Sequence, residues 1–224
     1  MTDMTVFSEF PILRDLDPGD IDRLDLRFRE AGFGAGQIIL DREDHARDVY
    51  FVQSGRLLAV YWTEDGKELV FGRIQAGAYL GEIAALDDGD RSLAVYAQTD
   101  ARVLVMEQAS FLALIDQVPA FRQKVTRDLV ARIRSLTKRN FEVLAFNVDM
   151  RVRSYLARLA LEAGVFHTDG LLTGAPTHAE IANTIGANRE AVSRAMSALN
   201  RDGVVQAGRQ KIQILKPDAL LATA

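Results

Sequence analysis

The spacing of apolar and polar positions changes along this chain, and the change divides it. Residues 7–30 read as short helical pieces, broken at Pro18-Gly19-Asp20, where Asp20 can cap the next piece. From Gln37 to about Met106 the pattern becomes short β-type runs separated by turn residues. The clearest are Gln37–Leu40, Val49–Gln53, Arg56–Trp62, Glu68–Ile74 and Arg102–Met106. Ser54-Gly55 and Asp65-Gly66 read as hairpin turns between apolar runs. Pro119 then opens a long helix that runs to about Asn147, and Met150–Ala163 forms another. Residues 167–176 read as a turn-rich loop.

Many short strands with Gly-containing turns predict a small barrel or jelly roll for the β region. A metal enzyme of the cupin type would need two or three histidines and a glutamate converging on one ion. The chain holds only His45, His167 and His178, and one of these falls among the strands. No G-x-S-x-G, Walker loop or H-E-x-x-H occurs, and Gly32–Gly36 lacks the G-x-G-x-x-G spacing, so it reads as a turn. Catalysis has no foothold in these residues.

The long helix carries Val125, Leu129, Ile133, Leu136 and Val143 at close to four-three spacing, the pattern of a helix-pairing seam. Arg122, Lys124, Arg127, Arg132, Arg134, Lys138 and Arg139 crowd its other faces, and Asn140 falls on or beside the seam. Packing of this helix on its own β region is the alternative, and both can hold on different faces.

Further on, Thr177 and Glu180 make an S/T-x-x-E capping box, and Ile181 and Ile185 give the adjoining helix its buried face. Gly186 supplies a tight turn, Asn188 can cap a second helix, and Val192, Met196 and Leu199 line that helix's apolar side. Helix, short turn with Gly, helix is a helix-turn-helix. Gly203–Leu215, with a turn at Gly208, reads as the β-hairpin wing of a winged helix. Arg189, Glu190, Ser193 and Arg194 cluster on the exposed N-terminal side of the second helix, the part of such helices that meets base edges. Arginine can grip guanine O6 and N7, and glutamate can accept from cytosine N4.

Charge sharpens this picture. The net charge of −4 over 224 residues argues, taken whole, against a polyanionic partner. Residues 1–116, however, hold 11 Lys+Arg and 22 Asp+Glu, whereas residues 117–224 hold 16 and 9. An acidic half joined to a basic half is expected where only one part meets nucleic acid. The absence of cysteine excludes disulfides, cysteine-ligated iron–sulfur clusters and the usual structural zinc. The N-terminal MTDMTVFSEFPIL lacks a basic n-region, and no span approaches ~18 apolar residues, so a cytoplasmic protein without a membrane anchor is expected.

The stretch Gly77–Val95 has the chemistry of a ligand pocket. Gly81 permits close backbone approach, Arg91 offers a planar fork for phosphate oxygens, and Ser92 adds a hydroxyl. Glu82 can only accept, so it calls for a donor such as a ribose hydroxyl. A ligand with sugar on one side and phosphate on the other suits this pair.

Gly-Glu-Ile-Ala at 81–84 followed by Arg91-Ser92 resembles the phosphate-binding cassette of cyclic-nucleotide-binding domains. Together with the C-terminal motif, the whole chain resembles bacterial regulators of the cyclic-AMP receptor protein/FNR (CRP/FNR) family. Two departures are visible. Leu93 stands where the family usually has a small residue, and the family's glycine near position 43 is missing from Asp41–Asp48. The resemblance implies an α+β chain with an eight-stranded β-roll over residues 1–116 and a long dimerisation helix over 117–147. A winged helix-turn-helix would fill 148–224.

It further implies an allosteric effector, cAMP or possibly cGMP, bound by Gly81, Glu82, Ile83, Ala84, Arg91 and Ser92. An ungapped count along the long helix puts the base-reading place at Leu136 and Thr137, and brings Arg132 to the phosphate side. No metal, haem or iron–sulfur cofactor is expected. Partners implied are a second copy of the chain, a palindromic double-stranded DNA operator with TGA-containing half-sites, and RNA polymerase, with 163–175 as its candidate contact. DNA would be met by Thr177, His178, Asn188, Arg189, Glu190, Ser193 and Arg194. The alternatives are a regulator with another effector or none, with Leu93 filling the pocket, and a nucleotide-binding module acting through protein partners.

Overall fold

The computed structural model describes residues 8–221 except 15 and 25. The sequence reading of residues 1–7 lies outside these. Contacts divide the chain into two units that part at Ile133/Arg134.

Ahead of its strands the first unit has a short helix, α1 (Pro18–Asp22). The sequence puts the cap of this piece at Asp20; the helix instead starts at Pro18 and contains Asp20. Proline is tolerated at the first helical position, and the cap is Asp17, whose side chain accepts from Gly19 N at 2.7 Å. Eight strands come next: β1 (Phe28–Phe33), β2 (Ile38–Leu40), β3 (Val49–Ser54), β4 (Arg56–Trp62), β5 (Glu68–Gln75), β6 (Tyr79–Leu80), β7 (Ala94–Ala97) and β8 (Ala101–Met106). They form two four-stranded sheets ordered β1-β8-β3-β6 and β2-β7-β4-β5, with every pairing antiparallel.

Three local expectations change. Phe28–Phe33 is a strand rather than a helical piece, and it takes Gly32 and Phe33 out of the proposed 32–36 turn. Asp65-Gly66 does turn a hairpin, between β4 and β5. Ser54-Gly55 does not: β3 and β4 lie in different sheets, so this turn passes the chain from one sheet to the other. Gly55 there has φ +94°, and an added Cβ would lie 2.5 Å from Asp100 O, so glycine is required.

In the β1-β8-β3-β6 sheet, strands β3, β6 and β8 are buried on both faces, which explains their near-continuous apolar runs, whereas the edge strand β1 has no buried residue. Tyr50, Val52, Val103 and Val105 face the roll interior with Leu57, Val95 and Ala97. Val49, Phe51, Leu104 and Met106 face outwards into a second core with Phe10, Phe111, Leu114 and Phe121. The last three come from α3 (Gln108–Gln117) and the start of α4 (Pro119–Ala145), with a six-residue helix, α2 (Glu82–Asp87), preceding them in the chain.

Helix α4 crosses the boundary between the units. Of the expected seam, Val125 is buried and Leu129 packs on the first unit's core, so the alternative of packing on the β-roll holds for that part. Ile133, Leu136 and Val143 are exposed, as are Phe141 and Leu144.

In the second unit, the end of α4 is tied to α5 (Val148–Glu162) through the buried Glu142, which accepts from Ser154 Oγ at 2.7 Å and pairs with Arg158 at 3.5 Å. Asn147 caps α5, its side chain accepting from Met150 N. The expected 167–176 loop contains a strand, β9 (Gly170–Thr173). It pairs with β11 (Lys211–Ile214), which pairs in turn with β10 (Val205–Gly208). The β10–β11 turn places Gln210, rather than Gly208, in the left-handed region. Between β9 and β10 lie α6 (His178–Ile185) and α7 (Arg189–Arg201), with a closing 3-10 turn at Pro217–Leu220. No helix among the described residues is long and apolar enough to cross a membrane.

Candidate functional site

The first unit presents a pocket lined by Leu40, Ile74, Leu93 and Val95 on its apolar side. Gly81 to Ala84, Arg91, Ser92 and Arg132 complete it. Thus the structure brings the whole predicted cassette together with Arg132. Leu136 and Thr137, both exposed on α4, belong to the second unit.

The cassette is built on a left-handed glycine. Gly81 caps α2 with φ +90°, and a Cβ there would come 2.7 Å from Arg91 Nη1 and 2.8 Å from Asp48 O. Only glycine fits both the angle and the space. The turn drops Glu82 into the first position of α2 at 3% exposure, with Ala84 and Ala85 buried beside it. Ile83 and Ser92 are exposed at the rim.

Arg91 is 4% exposed. Its Nη1 donates to Gly81 O and its Nη2 to Asp48 O, each at 2.9 Å, so it ties the cassette turn to the segment at Asp48. Its Nε is buried with no hydrogen-bond partner among the described residues. Burial lowers its pKa from the ordinary value. A buried cation with a donor to spare fits an anionic ligand atom, which would satisfy both charge and hydrogen bond.

Glu82 sits in the opposite electrostatic situation. Burial pushes its carboxyl above the ordinary range, and the Arg132 guanidinium opposes that shift. Arg132 Nη1 meets Glu82 Oε1 at 2.9 Å, while Nε meets Asp128 Oδ2 at 2.8 Å and Nη2 donates to Tyr79 O at 3.3 Å. Arg132 therefore serves the carboxylate, whereas the sequence reading brought it to the phosphate side. The Tyr79 hydroxyl donates to the same Asp128 oxygen at 2.8 Å. Burial first, and the Asp128 hydrogen bond second, hold that hydroxyl well above its usual pKa. Sequence reasoning missed Tyr79 and Asp128; the one legible signal was the i,i+4 spacing of Asp128 and Arg132.

The second unit holds the helix-turn-helix. Thr177 and Glu180 form both bonds of the capping box on α6. Gly186 ends that helix at φ +64°, and Arg151 Nη1 donates to Ile185 O at 2.7 Å, tying the turn to α5. Asn188 caps α7, accepting from Ala191 N at 2.7 Å. Val192, Ala195, Met196 and Leu199 are buried, which leaves Arg189, Glu190 and Arg194 exposed. No ion pair engages these three among the described residues, so their charge is directed to solvent. Half-buried Ser193 and His178 are instead bonded to each other, Oγ to Nδ1 at 2.8 Å, which fastens α7 to α6. Among the described residues no group of three or more His, Cys, Asp or Glu could hold a metal ion.

Comparison with known proteins agrees with both units. The cyclic nucleotide-binding domain family matches residues 31–118, and the Crp-like helix-turn-helix domain family matches residues 150–223. The Cyclic AMP receptor protein of Thermus thermophilus is 27% identical over 204 residues, covering 91% of this chain and 92% of its own. Among solved structures, FixK2 from Bradyrhizobium japonicum superposes with a TM-score of 0.75 at 20% identity, covering 89% of this chain and all of its own. The c-di-GMP responsive global regulator CLP of Xanthomonas campestris does so with a TM-score of 0.72 at 20% identity, covering 89% of this chain and 99% of its own. With a cyclic nucleotide-binding domain ahead of a Crp-like helix-turn-helix, the chain belongs to the CRP/FNR family of DNA-binding transcription regulators.

Proposed function

We propose that this regulator is a homodimer gated by a cyclic purine nucleotide, with cAMP as the first candidate and cGMP as the second. The observation that carries the reading is the pocket's pair of buried, opposite charges. Arg91 has an unsatisfied Nε for a phosphate oxygen, and Glu82 has a second carboxylate oxygen for a ribose hydroxyl. The cavity of about 140 Å³ suits the ribose-phosphate part of such a ligand better than all of it. Leu136 and Thr137 stay candidates for the base on the family resemblance alone.

Binding would shift an existing equilibrium towards the DNA-competent state by its differential affinity for that state. In a two-fold dimer the recognition helices would stand roughly 34 Å apart and read a palindrome, with TGA in each half-site, by Arg189, Glu190 and Arg194. Thr177, His178, Asn188 and Ser193 would support the helix and the backbone contacts, with RNA polymerase as the downstream partner. The exposed apolar residues of α4 from Ile133 to Leu144 supply the dimer seam.

Selection of DNA from a random pool, with and without cAMP or cGMP, tests this directly. Enrichment of a TGA-containing palindrome only with nucleotide supports the reading. Equal enrichment without it favours the ligand-independent alternative. The relative named for c-di-GMP makes that dinucleotide the appropriate third ligand to include.

A further inference from the structure

Arg132 is pinned through its guanidinium, although its side chain is 41% exposed. Its three guanidinium nitrogens are committed to Glu82, Asp128 and the Tyr79 carbonyl, and the Tyr79 ring lies beneath it with the guanidinium carbon 4.9 Å from the ring centroid. One atom organises this arrangement. Asp128 Oδ2 accepts both from Arg132 Nε and from the Tyr79 hydroxyl. Tyr79 lies on β6, directly before the cassette glycine region, while Asp128 and Arg132 lie one turn apart on α4. The three side chains thus join α4 to the entrance of the cassette.

The number of contacts Arg132 makes to Glu82 matters chemically. An arginine fork left to itself meets a carboxylate with two parallel hydrogen bonds and occupies both oxygens. Here Nε is anchored on Asp128 and Nη2 is turned to the Tyr79 carbonyl, so only Nη1 reaches Glu82, at Oε1. Among the described residues no second side chain hydrogen-bonds this carboxylate, which leaves Oε2 as the acceptor for a ligand hydroxyl.

We infer that Asp128 and Tyr79 are positioning residues for ligand recognition: they hold Arg132 to a single hydrogen bond on Glu82 and so preserve the carboxylate oxygen that selects a ribose hydroxyl. This rests on the nucleotide reading of the pocket and assigns the selectivity to residues outside the cassette. Removing the Asp128 oxygen unpins the guanidinium, which can then turn from the Tyr79 carbonyl and set Nη1 and Nη2 on both Glu82 oxygens, so the sugar hydroxyl loses its acceptor.

The test compares cAMP with 2′-deoxy-cAMP by calorimetry in wild type, Asp128→Ala, Asp128→Asn and Tyr79→Phe. Wild type should prefer cAMP by about tenfold, the worth of one hydrogen bond to a charged acceptor. Asp128→Ala should weaken cAMP by about that factor, leave 2′-deoxy-cAMP nearly unchanged, and so erase the preference. Asp128→Asn, whose carbonyl oxygen can accept both donors, should restore most of it. Tyr79→Phe should lower the preference by about threefold, because the ring beneath Arg132 remains.

An Asp128→Ala variant that keeps the wild-type preference overturns the proposal, as does equal weakening of both ligands. Hydrogen exchange of the ligand-free protein provides a separate arm: Asp128→Ala should speed exchange at the α2 amides. If wild type binds neither nucleotide, the nucleotide reading itself fails, and the exchange arm alone then decides whether Asp128 holds the cassette.

Discussion

Replacing Arg91 by alanine separates its structural task from the ligand role proposed for it. It holds Gly81 O and Asp48 O by charge-assisted hydrogen bonds of 2.9 Å, and in the proposed reading it is also the cation offered to a ligand anion. Each such bond is worth about 1.5–3 kcal/mol net, so losing both costs about 3–6 kcal/mol. Burying the guanidinium is itself unfavourable, and the alanine variant escapes several kcal/mol of that penalty. Water entering the vacated space can also serve the two carbonyls. The remaining destabilisation should be about 2 kcal/mol, or roughly a thirtyfold shift in the unfolding equilibrium of the first unit.

Denaturant unfolding of Arg91→Ala should therefore show a lower midpoint with an unchanged slope, and the variant should remain folded. Its cAMP affinity should fall by at least about a hundredfold, because a phosphate would lose the buried Arg91 guanidinium. The reasoning is refuted by a wild-type midpoint, which would mean the two carbonyl bonds carry no load. Unchanged nucleotide affinity would instead move the ligand site elsewhere.

Other substitutions probe particular geometries. Gly81→Ala must adopt φ near +90° with its Cβ under 3 Å from Arg91 Nη1 and Asp48 O, so it should cost about 2–4 kcal/mol and impair ligand binding with it; a fully stable variant would contradict the described turn. Because burial raises the Glu82 pKa above its ordinary 4.5, the stabilisation from its protonated form is complete below 4.5 and is lost as pH rises through the folded value. The stability of wild type relative to Glu82→Gln should accordingly increase as pH falls towards 4.5, and a flat or opposite trend in urea titrations would refute the shift. Arg189→Ala should cost about 1–3 kcal/mol on the preferred operator and relax preference at one base pair; an equal loss on all sequences would assign Arg189 to the backbone.

The parts legible in the sequence are those whose signals are local. Arg56–Trp62 was readable because seven residues of apolar β-type pattern end at a recognisable Asp65-Gly66 turn. The helix-turn-helix was readable because the Thr177–Glu180 capping box, Gly186 and Asn188 each act within a few residues. Strands β1 and β9 were not. Phe28–Phe33 is an edge strand with two charges, and Gly170–Thr173 is only four residues long, held by a partner some forty residues further on. Ser54-Gly55 carries the chemistry of a turn, but nothing local says which sheet receives the next strand.

The same division runs through the site. Glycine, glutamate, arginine and serine at 81–92 announced a pocket, because each residue type restricts the ligand chemistry. That Arg91 would spend both η nitrogens on backbone carbonyls, and that Arg132 would turn to Glu82, depend on distances between remote segments. In the sequence Tyr79 is only one residue of the Gly77–Val95 stretch, since its role lies in a hydroxyl that meets Asp128 forty-nine positions away.

The most direct test of the whole account is calorimetric titration of the purified protein with cAMP and, separately, cGMP. Saturable binding of one of them in the micromolar range, at one molecule per chain, is the predicted result. Absence of binding by both would contradict the nucleotide-gated reading and leave a CRP/FNR-family regulator controlled by another effector or by none.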